Sequence, residues 1–559
     1  MTPTRTNEGD GGDLLQMRDL RVEGRVEETW SEIVKGVDLD LRRRELLGLI
    51  GESGAGKSTI GLAAMGHVRA GCRIAGGSIV FDGVELRGMD NATRRSLLGV
   101  RIAYVAQSAA AAFNPAHTIG SQVIEAAVQH DVMSPAAARK RAVALYRQLR
   151  LPAPETFGRR YPHQVSGGQL QRAMLAMAMV CGPDMIVFDE PTTALDVTTQ
   201  FEVLLAMKQA IKAENMAGLY ITHDLAVVAQ LADRVMVLRY GETVEEGETE
   251  RILDAPQADY TRQLLNVRKA LKSDRHPDEG DHVLRLDGIT ASYGRDGPRV
   301  LEDVSLSVPR GTTAAIVGES GSGKSTLARA ATGLLPPLGG RIELAGEPLR
   351  HRLRQRTLEQ LRRLQMIYQM PDVSINPAQR IEVVIGRPLT LYFGMTGRAR
   401  RERVEQLLQQ VELPPDYADR RPSELSGGQK QRIGIARALA AEPDVIICDE
   451  VTSALDQVVA QGILSLLLRL QDETGISYVF ITHDLATVRA IADTVAVMYQ
   501  GRIVESGVAD EVLRDPQTDY AKLLLSSVPE MKIGWLEEVE QARKARHVGV
   551  EAMTESAGD

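Results

Sequence analysis

Two stretches could grip a phosphate chain: GESGAGKST at residues 51 to 59 and GESGSGKST at residues 318 to 326. Each follows an apolar run and precedes a helical one, the strand, loop and helix order that a phosphate-binding loop requires. Gly51, Gly54 and Gly56 let backbone N–H groups turn inward around phosphate oxygens, and Ser53 and Thr59 complete the nucleotide-binding set. Lys57 neutralises the outer phosphates, and Ser58 can place its hydroxyl on Mg²⁺. Gly318, Ser320, Gly321, Gly323, Lys324, Ser325 and Thr326 repeat the arrangement. Two further apolar runs end in paired carboxylates, MIVFDE with Asp189 and Glu190, and VIICDE with Asp449 and Glu450. The first acid of each pair suits Mg²⁺, and the second suits positioning and deprotonating an attacking water.

These residues recur in register. Lys324 lies 267 residues after Lys57, Gln369 lies 262 after Gln107, and Ser426 lies 260 after Ser166. Asp449, Glu450, His483 and Tyr520 then each follow Asp189, Glu190, His223 and Tyr260 by 260 residues. This is a duplicated domain whose length changes are confined to its first part. The expected domains are 1–271 and 282–528, joined by a polar linker, 272–281, that contains Pro277 and Gly280. Residues 529–559 read as a charged helix with a frayed tail and no identifiable chemistry. Within the first half, LLGLI, RIAYV, MIVF, LYI and RVMVL suit a mostly parallel sheet buried on both faces. The stretch from Gln107 to Ser166 reads as helical, with Ser134 as N-cap and Pro135 at the first helical position. The fold class is therefore α/β: two tandem P-loop nucleotide-binding domains, each a mostly parallel sheet core with a helical subdomain.

The segment VSGGQLQRAMLAMAM has its mate in LSGGQKQRIGIARAL, 260 residues later. It resembles the signature of the ATP-binding cassette (ABC) ATPases, and the resemblance covers nearly the whole chain. Ser166 and Gly168, and likewise Ser426 and Gly428, would offer a hydroxyl and free N–H groups at a helix N-terminus to a γ-phosphate. Leu170, Ala173, Met174 and Met177 behind the first signature read as core. The resemblance implies ATP and Mg²⁺ as cofactors. It makes Gln107 and Gln369 metal-binding glutamines that couple nucleotide to a transport partner, alongside Ser58, Asp189, Ser325 and Asp449. It assigns His223 and His483 as switch histidines acting with Glu190 and Glu450, and marks ALD at 194–196 and 454–456 as a landmark. Tyr293 matches the adenine-stacking aromatic, whereas the first half has Gly24 at that place, with Trp30 as a substitute. Cassettes of this kind face each other, so Lys57 would share a nucleotide with Ser426, and Lys324 with Ser166. The second copy has Val451 where the first has Pro191; no catalytic group is lost, and both sites are expected to hydrolyse ATP.

Composition narrows the partners. In 559 residues, 43% are hydrophobic and 25% charged, with net charge −8. That describes a folded globular chain without the basic field that binds nucleic acid, so no nucleic-acid partner is expected. Cys72, Cys181 and Cys448 lie far apart and read as buried reduced thiols, which suggests the cytoplasm. AMLAMAMVCG, the longest apolar run, is about half a membrane span. Membrane action would then come through partners: two integral-membrane permease subunits at the inner face of the membrane, supplied by an extracytoplasmic solute-binding protein. The segments DAPQADYTRQLL and DPQTDYAKLLL resemble the oligopeptide, dipeptide and nickel importer subfamily, here with its two ATPases fused; peptide is the implied solute class. AAAFNP (110–115) and VSINP (373–377) would wall the groove for a permease helix, with Phe113 serving either that helix or its own core. The contrasting class is a twin-cassette ATPase acting on ribosomes, which joins its cassettes by a long basic linker and tends to lack the switch histidine.

Overall fold

The computed structural model describes residues 12–26, 28–192, 195–266, 281–294, 297–453 and 455–556. The linker reading at 272–281 lies outside them apart from Asp281, as do Ala194 and Ala454 of the two ALD landmarks. The chain divides into two units, Met1–Asn266 with Ser527–Asp559, and Val267–Ser526. Among the described residues each unit holds a six-stranded and a four-stranded sheet.

In the first unit the strands Leu46–Ile50, Ala217–Ile221, Met185–Asp189 and Ile102–Val105 lie side by side and parallel. Arg234–Arg239 runs parallel to Leu46–Ile50 on its other flank, and Glu242–Glu248 closes that edge antiparallel. Leu46–Ile50, Met185–Asp189 and Ala217–Ile221 are buried at every position, which is why they read as unbroken apolar runs and not as alternating ones. Four parallel neighbours deliver four loops to one edge of the sheet. In order these carry the P-loop, His223, the Asp189–Glu190 pair and Gln107, at the carboxyl ends where open α/β sheets bind ligands. The second unit repeats the order with Thr313–Val317, Ser477–Ile481, Val445–Asp449 and Leu364–Ile367.

The four-stranded antiparallel sheets are absent from the strand pattern read in the sequence. In the first unit Asp13–Val26 pairs with Thr29–Arg42 and with Cys72–Phe81. Leu15, Met17, Leu20 and Val22 are fully buried, but register shifts between Met17 and Leu20 and between Val22 and Glu23 break the two-residue period. Their apolar face, the helix Lys57–Ala63 and one face of the parallel sheet form a single core. The second unit has the equivalent core, and the other face of its parallel sheet packs on the helical insert through Ile446, Cys448 and Phe480.

In the first insert, Ser134 caps Pro135–Gln148 by accepting from the Ala137 N–H, with Pro135 at the first position. Phe113 is 3% exposed, so it serves its own core and does not line a groove. Met177 is only half-buried; Leu175, Ala178 and Met179 join Leu170, Ala173 and Met174 inside. Of the cysteines, all free, only Cys448 is buried, while Cys72 and Cys181 are intermediate.

The segment read as a charged helix with a frayed tail does form a helix, Trp535–Ser556, and is docked over its described side chains. Gln230 donates to the carbonyls of Glu530 and Lys532 (2.7 and 2.9 Å) and accepts from the Leu536 N–H (3.1 Å). Trp535 and Leu536 are buried, the indole edge-on to Phe201 at 5.7 Å. The Arg543 guanidinium lies over the Phe201 ring at 4.0 Å, and Glu537 and Glu540 pair with Lys208 and Arg150. The charge of this segment meets opposite charge on the first unit, and two apolar residues anchor it.

Candidate functional site

The strand Leu46–Ile50 turns into the P-loop through Gly51, at φ 150, where a Cβ would stand 2.1 Å from the Leu238 carbonyl oxygen; Gly318 repeats this against Met498. Lys57, 6% exposed, turns its Nζ back onto the carbonyls of Gly51 and Glu52 at 2.7 and 2.8 Å. Lys324 does the same with Gly318 and Glu319, both at 2.7 Å. The Ser58 hydroxyl donates to Asp189 Oδ1 (2.7 Å), and Ser325 to Asp449 Oδ1 (2.9 Å). A hydroxyl beside one carboxylate fits an ion that takes few protein oxygens and completes its shell with phosphate and water.

Glu190 and Glu450 sit one residue beyond their strands, each with its N–H bonded to the adjacent strand's last carbonyl, Ile221 or Ile481, at 2.9 Å. Their φ values are 49 and 50, a left-handed backbone that costs about 1 kcal/mol for a residue with a Cβ. The turn aims each carboxylate between two partners. His223 Nδ1 lies 3.1 Å from Glu190 Oε1, and Gln107 donates to Oε2 at 3.3 Å. In the second unit His483 lies 3.4 Å from Glu450, and Gln369 donates to it at 2.6 Å. Burial works against charge on both histidines, but the facing carboxylates outweigh it and raise their pKa values. Burial likewise pushes Glu450 up, and His483 together with Lys324 and Ser453 more than offsets that. Each site therefore brings a histidine, a carboxylate and an amide into contact.

Ser166 opens the helix Gly167–Met179 in a capping box with Gln169, and Ser426 opens Gly427–Leu439 with Gln429. Both serines are exposed. The second glycine has a steric cause: a Cβ on Gly168 would stand 2.1 Å from Thr199 Cγ2, and one on Gly428 2.5 Å from Val459 Cγ1. Asp196 and Asp456 of the ALD landmarks cap the helices Val197–Glu214 and Gln457–Thr474.

Beyond Pro191 against Val451, two further differences between the halves bear on the site. Ile289 pairs with Val304 as Leu20 pairs with Val37, which puts Gly24 at the place of Tyr293. Tyr293 is 50% exposed, with its hydroxyl 3.2 Å from Thr326 Oγ1, while Trp30 gives one ring face to the Arg73 guanidinium at 4.2 Å. Sequence reading also missed Tyr104, whose hydroxyl donates to Asp189 Oδ2 at 2.7 Å. Met366 holds the equivalent position on the second unit's strand and has no hydroxyl to offer. The signal was present in RIAYV, where Tyr104 puts a hydroxyl at the penultimate position of an otherwise apolar strand.

Comparison with known proteins places this geometry. The family described as ABC transporter matches residues 34–193 and 301–453. The oligopeptide/dipeptide transporter C-terminal region matches 244–286 and 504–554. The chain is 39% identical to the glutathione import ATP-binding protein GsiA of Escherichia coli strain K12, over 94% of this chain and 91% of that protein. The same figures hold for GsiA of Shigella boydii serotype 4. Among solved structures, cbiO1 from Clostridium perfringens, part of an ABC transporter complex, is 31% identical over 42% of this chain and 92% of that one, with a TM-score of 0.38. This chain belongs to the ABC transporter family, as a fused pair of import-type ATP-binding subunits with the oligopeptide/dipeptide C-terminal region in each half. It is a transport ATPase that works with membrane permease partners, and the ribosome-directed reading falls away.

Proposed function

We propose that the chain drives uptake of a peptide or related small solute through two integral-membrane permease subunits, one docked on each half at the cytoplasmic face. An extracytoplasmic binding protein supplies the solute. The observation that carries this reading is the complete set of P-loop lysine, paired acids, histidine and glutamine in both halves of a chain matched twice by the oligopeptide/dipeptide region. The relatives' named solute, glutathione, is itself a small peptide. Among the described residues no helix is long and apolar enough to cross a membrane, so attachment through permeases accounts for membrane action.

As the family resemblance implies, Lys57 would share a nucleotide with Ser426, and Lys324 with Ser166. Ser58 and Asp189, or Ser325 and Asp449, with Gln107 or Gln369, would hold Mg²⁺, which when bound would supply charge neutralisation at the transferred phosphate. Lys57 and Lys324 exchange their loop carbonyls for phosphate oxygens. Gln107 and His223, both now on Glu190, turn toward the nucleotide and free that carboxylate to deprotonate water; Gln369, His483 and Glu450 repeat the step. Reconstitution with its permease subunits should give ATP-dependent peptide uptake into liposomes, driven by the solute-binding protein. Sedimentation with ribosomes and no association with those permeases would contradict it.

A further inference from the structure

The oligopeptide/dipeptide region reaches the P-loop in both units, through one atom of one residue. Tyr260, on the helix Asp259–Asn266, accepts a hydrogen bond at its hydroxyl from the backbone N–H of Glu52, the second residue of GESGAGKST, at 3.2 Å. Tyr520, on the helix Asp519–Leu525, accepts from the Glu319 N–H at 3.0 Å. The carbonyl ends of the same residues are already held, since the Glu52 and Glu319 carbonyls accept from Lys57 and Lys324. One loop residue is thus gripped at its N–H by the C-terminal region and at its carbonyl by the phosphate-binding lysine.

The two units reach this contact by different packing. Tyr260 is buried under the Arg239 guanidinium at 4.5 Å, whereas Tyr520 is half-exposed and rests against the Tyr499 ring at 4.2 Å. Despite this different packing, each hydroxyl is delivered to the equivalent N–H. The helices that carry these tyrosines are pinned as well. Glu245, on the edge strand Glu242–Glu248, accepts from the N–H groups of Gln257 and Ala258 (2.9 and 3.0 Å). Glu505, on Arg502–Val508, accepts from those of Gln517 and Thr518 (2.8 and 2.9 Å). A continuous relay therefore runs in each half from edge strand to helix N-terminus to tyrosine to P-loop.

We infer that Tyr260 and Tyr520 are positioning residues that preorganise the two P-loops for ATP, making the oligopeptide/dipeptide region a determinant of nucleotide affinity. The inference rests on the ATPase reading above. A loop held before nucleotide arrives gives up less freedom on binding, so its loss is felt in affinity and not in the chemical step. Removing only the hydroxyl leaves the ring packing in place and frees the Glu52 and Glu319 N–H groups.

The test is steady-state ATP hydrolysis by the full chain, wild type against Tyr260→Phe, Tyr520→Phe and the double variant, with fluorescent ATP-analogue titrations in parallel. The double variant should raise KM and the analogue Kd by roughly three- to tenfold, the range one hydrogen bond supports, with kcat within about twofold. Its ligand-free unfolding temperature should stay close to that of wild type. Unchanged KM and Kd would overturn the inference, as would equal losses of kcat and thermal stability, which mark a packing role alone. Wild-type protein with no ATPase activity would instead contradict the functional reading, and Lys57→Ala with Lys324→Ala sets that baseline.

Discussion

At the residue scale, the site is organised around Glu190 and Glu450, whose left-handed backbones place each carboxylate between a histidine and a glutamine. Sequence showed which residue types belonged together, because strand, loop and spacing are local. It could not show that Gln107 and Gln369 rest on the glutamates, nor that Phe113 turns inward, since both follow from packing between distant segments. The raised pKa values of His223 and His483 have a thermodynamic consequence. Their ion pairs stabilise the fold fully below the ordinary imidazole range near pH 6.5 and lose that contribution as pH rises through the raised folded-state value. We therefore expect the stability gap between wild type and His223→Gln/His483→Gln, measured by denaturant unfolding, to shrink between about pH 6 and about pH 9. A gap that widens across that range would place the proton elsewhere.

At the scale of elements, four parallel strands with adjacent carboxyl ends assemble the site, and LLGLI, MIVF, LYI and RIAYV were legible because burial on both faces leaves unbroken apolar runs. The antiparallel sheet was not, because shifts around Leu20 break the alternation that would have marked Asp13–Val26. The signature helix offers a sharp test of close packing. Gly168 faces Thr199 with no room for a Cβ, whereas a Cβ on Gly167 would meet only Leu195 Cδ2, at 4.0 Å. Gly168→Ala should cost about 1–3 kcal/mol in denaturant unfolding, as overpacked sites do, while Gly167→Ala should fall within about 0.5 kcal/mol of wild type. Equal effects would mean that the helix approach is looser than described.

At the scale of the whole molecule, the segment from Ser527 belongs with the first unit although it follows the second in sequence. No periodicity in a charged stretch announces this; its large buried side chains are Trp535 and Leu536. Trp535→Ala should destabilise the first unit by about 3 kcal/mol, read as an earlier unfolding transition, and should be less than additive with Phe201→Ala. Strict additivity would remove the indole contact from the account. The two halves also differ at Gly24 against Tyr293 and at Tyr104 against Met366, so Lys57→Ala and Lys324→Ala need not be equivalent. Both single variants should strongly impair transport if the sites fire together, and normal uptake by one would mark its site as a passenger. The central claim is that Glu190 and Glu450 activate water at two ATP sites. It is tested most directly by ATP turnover of Glu190→Gln with Glu450→Gln, scored beside retained ATP. We predict that turnover falls by roughly 10²-fold or more, the scale of a lost general base, while ATP stays bound. Near-normal turnover in that double variant would contradict the assignment.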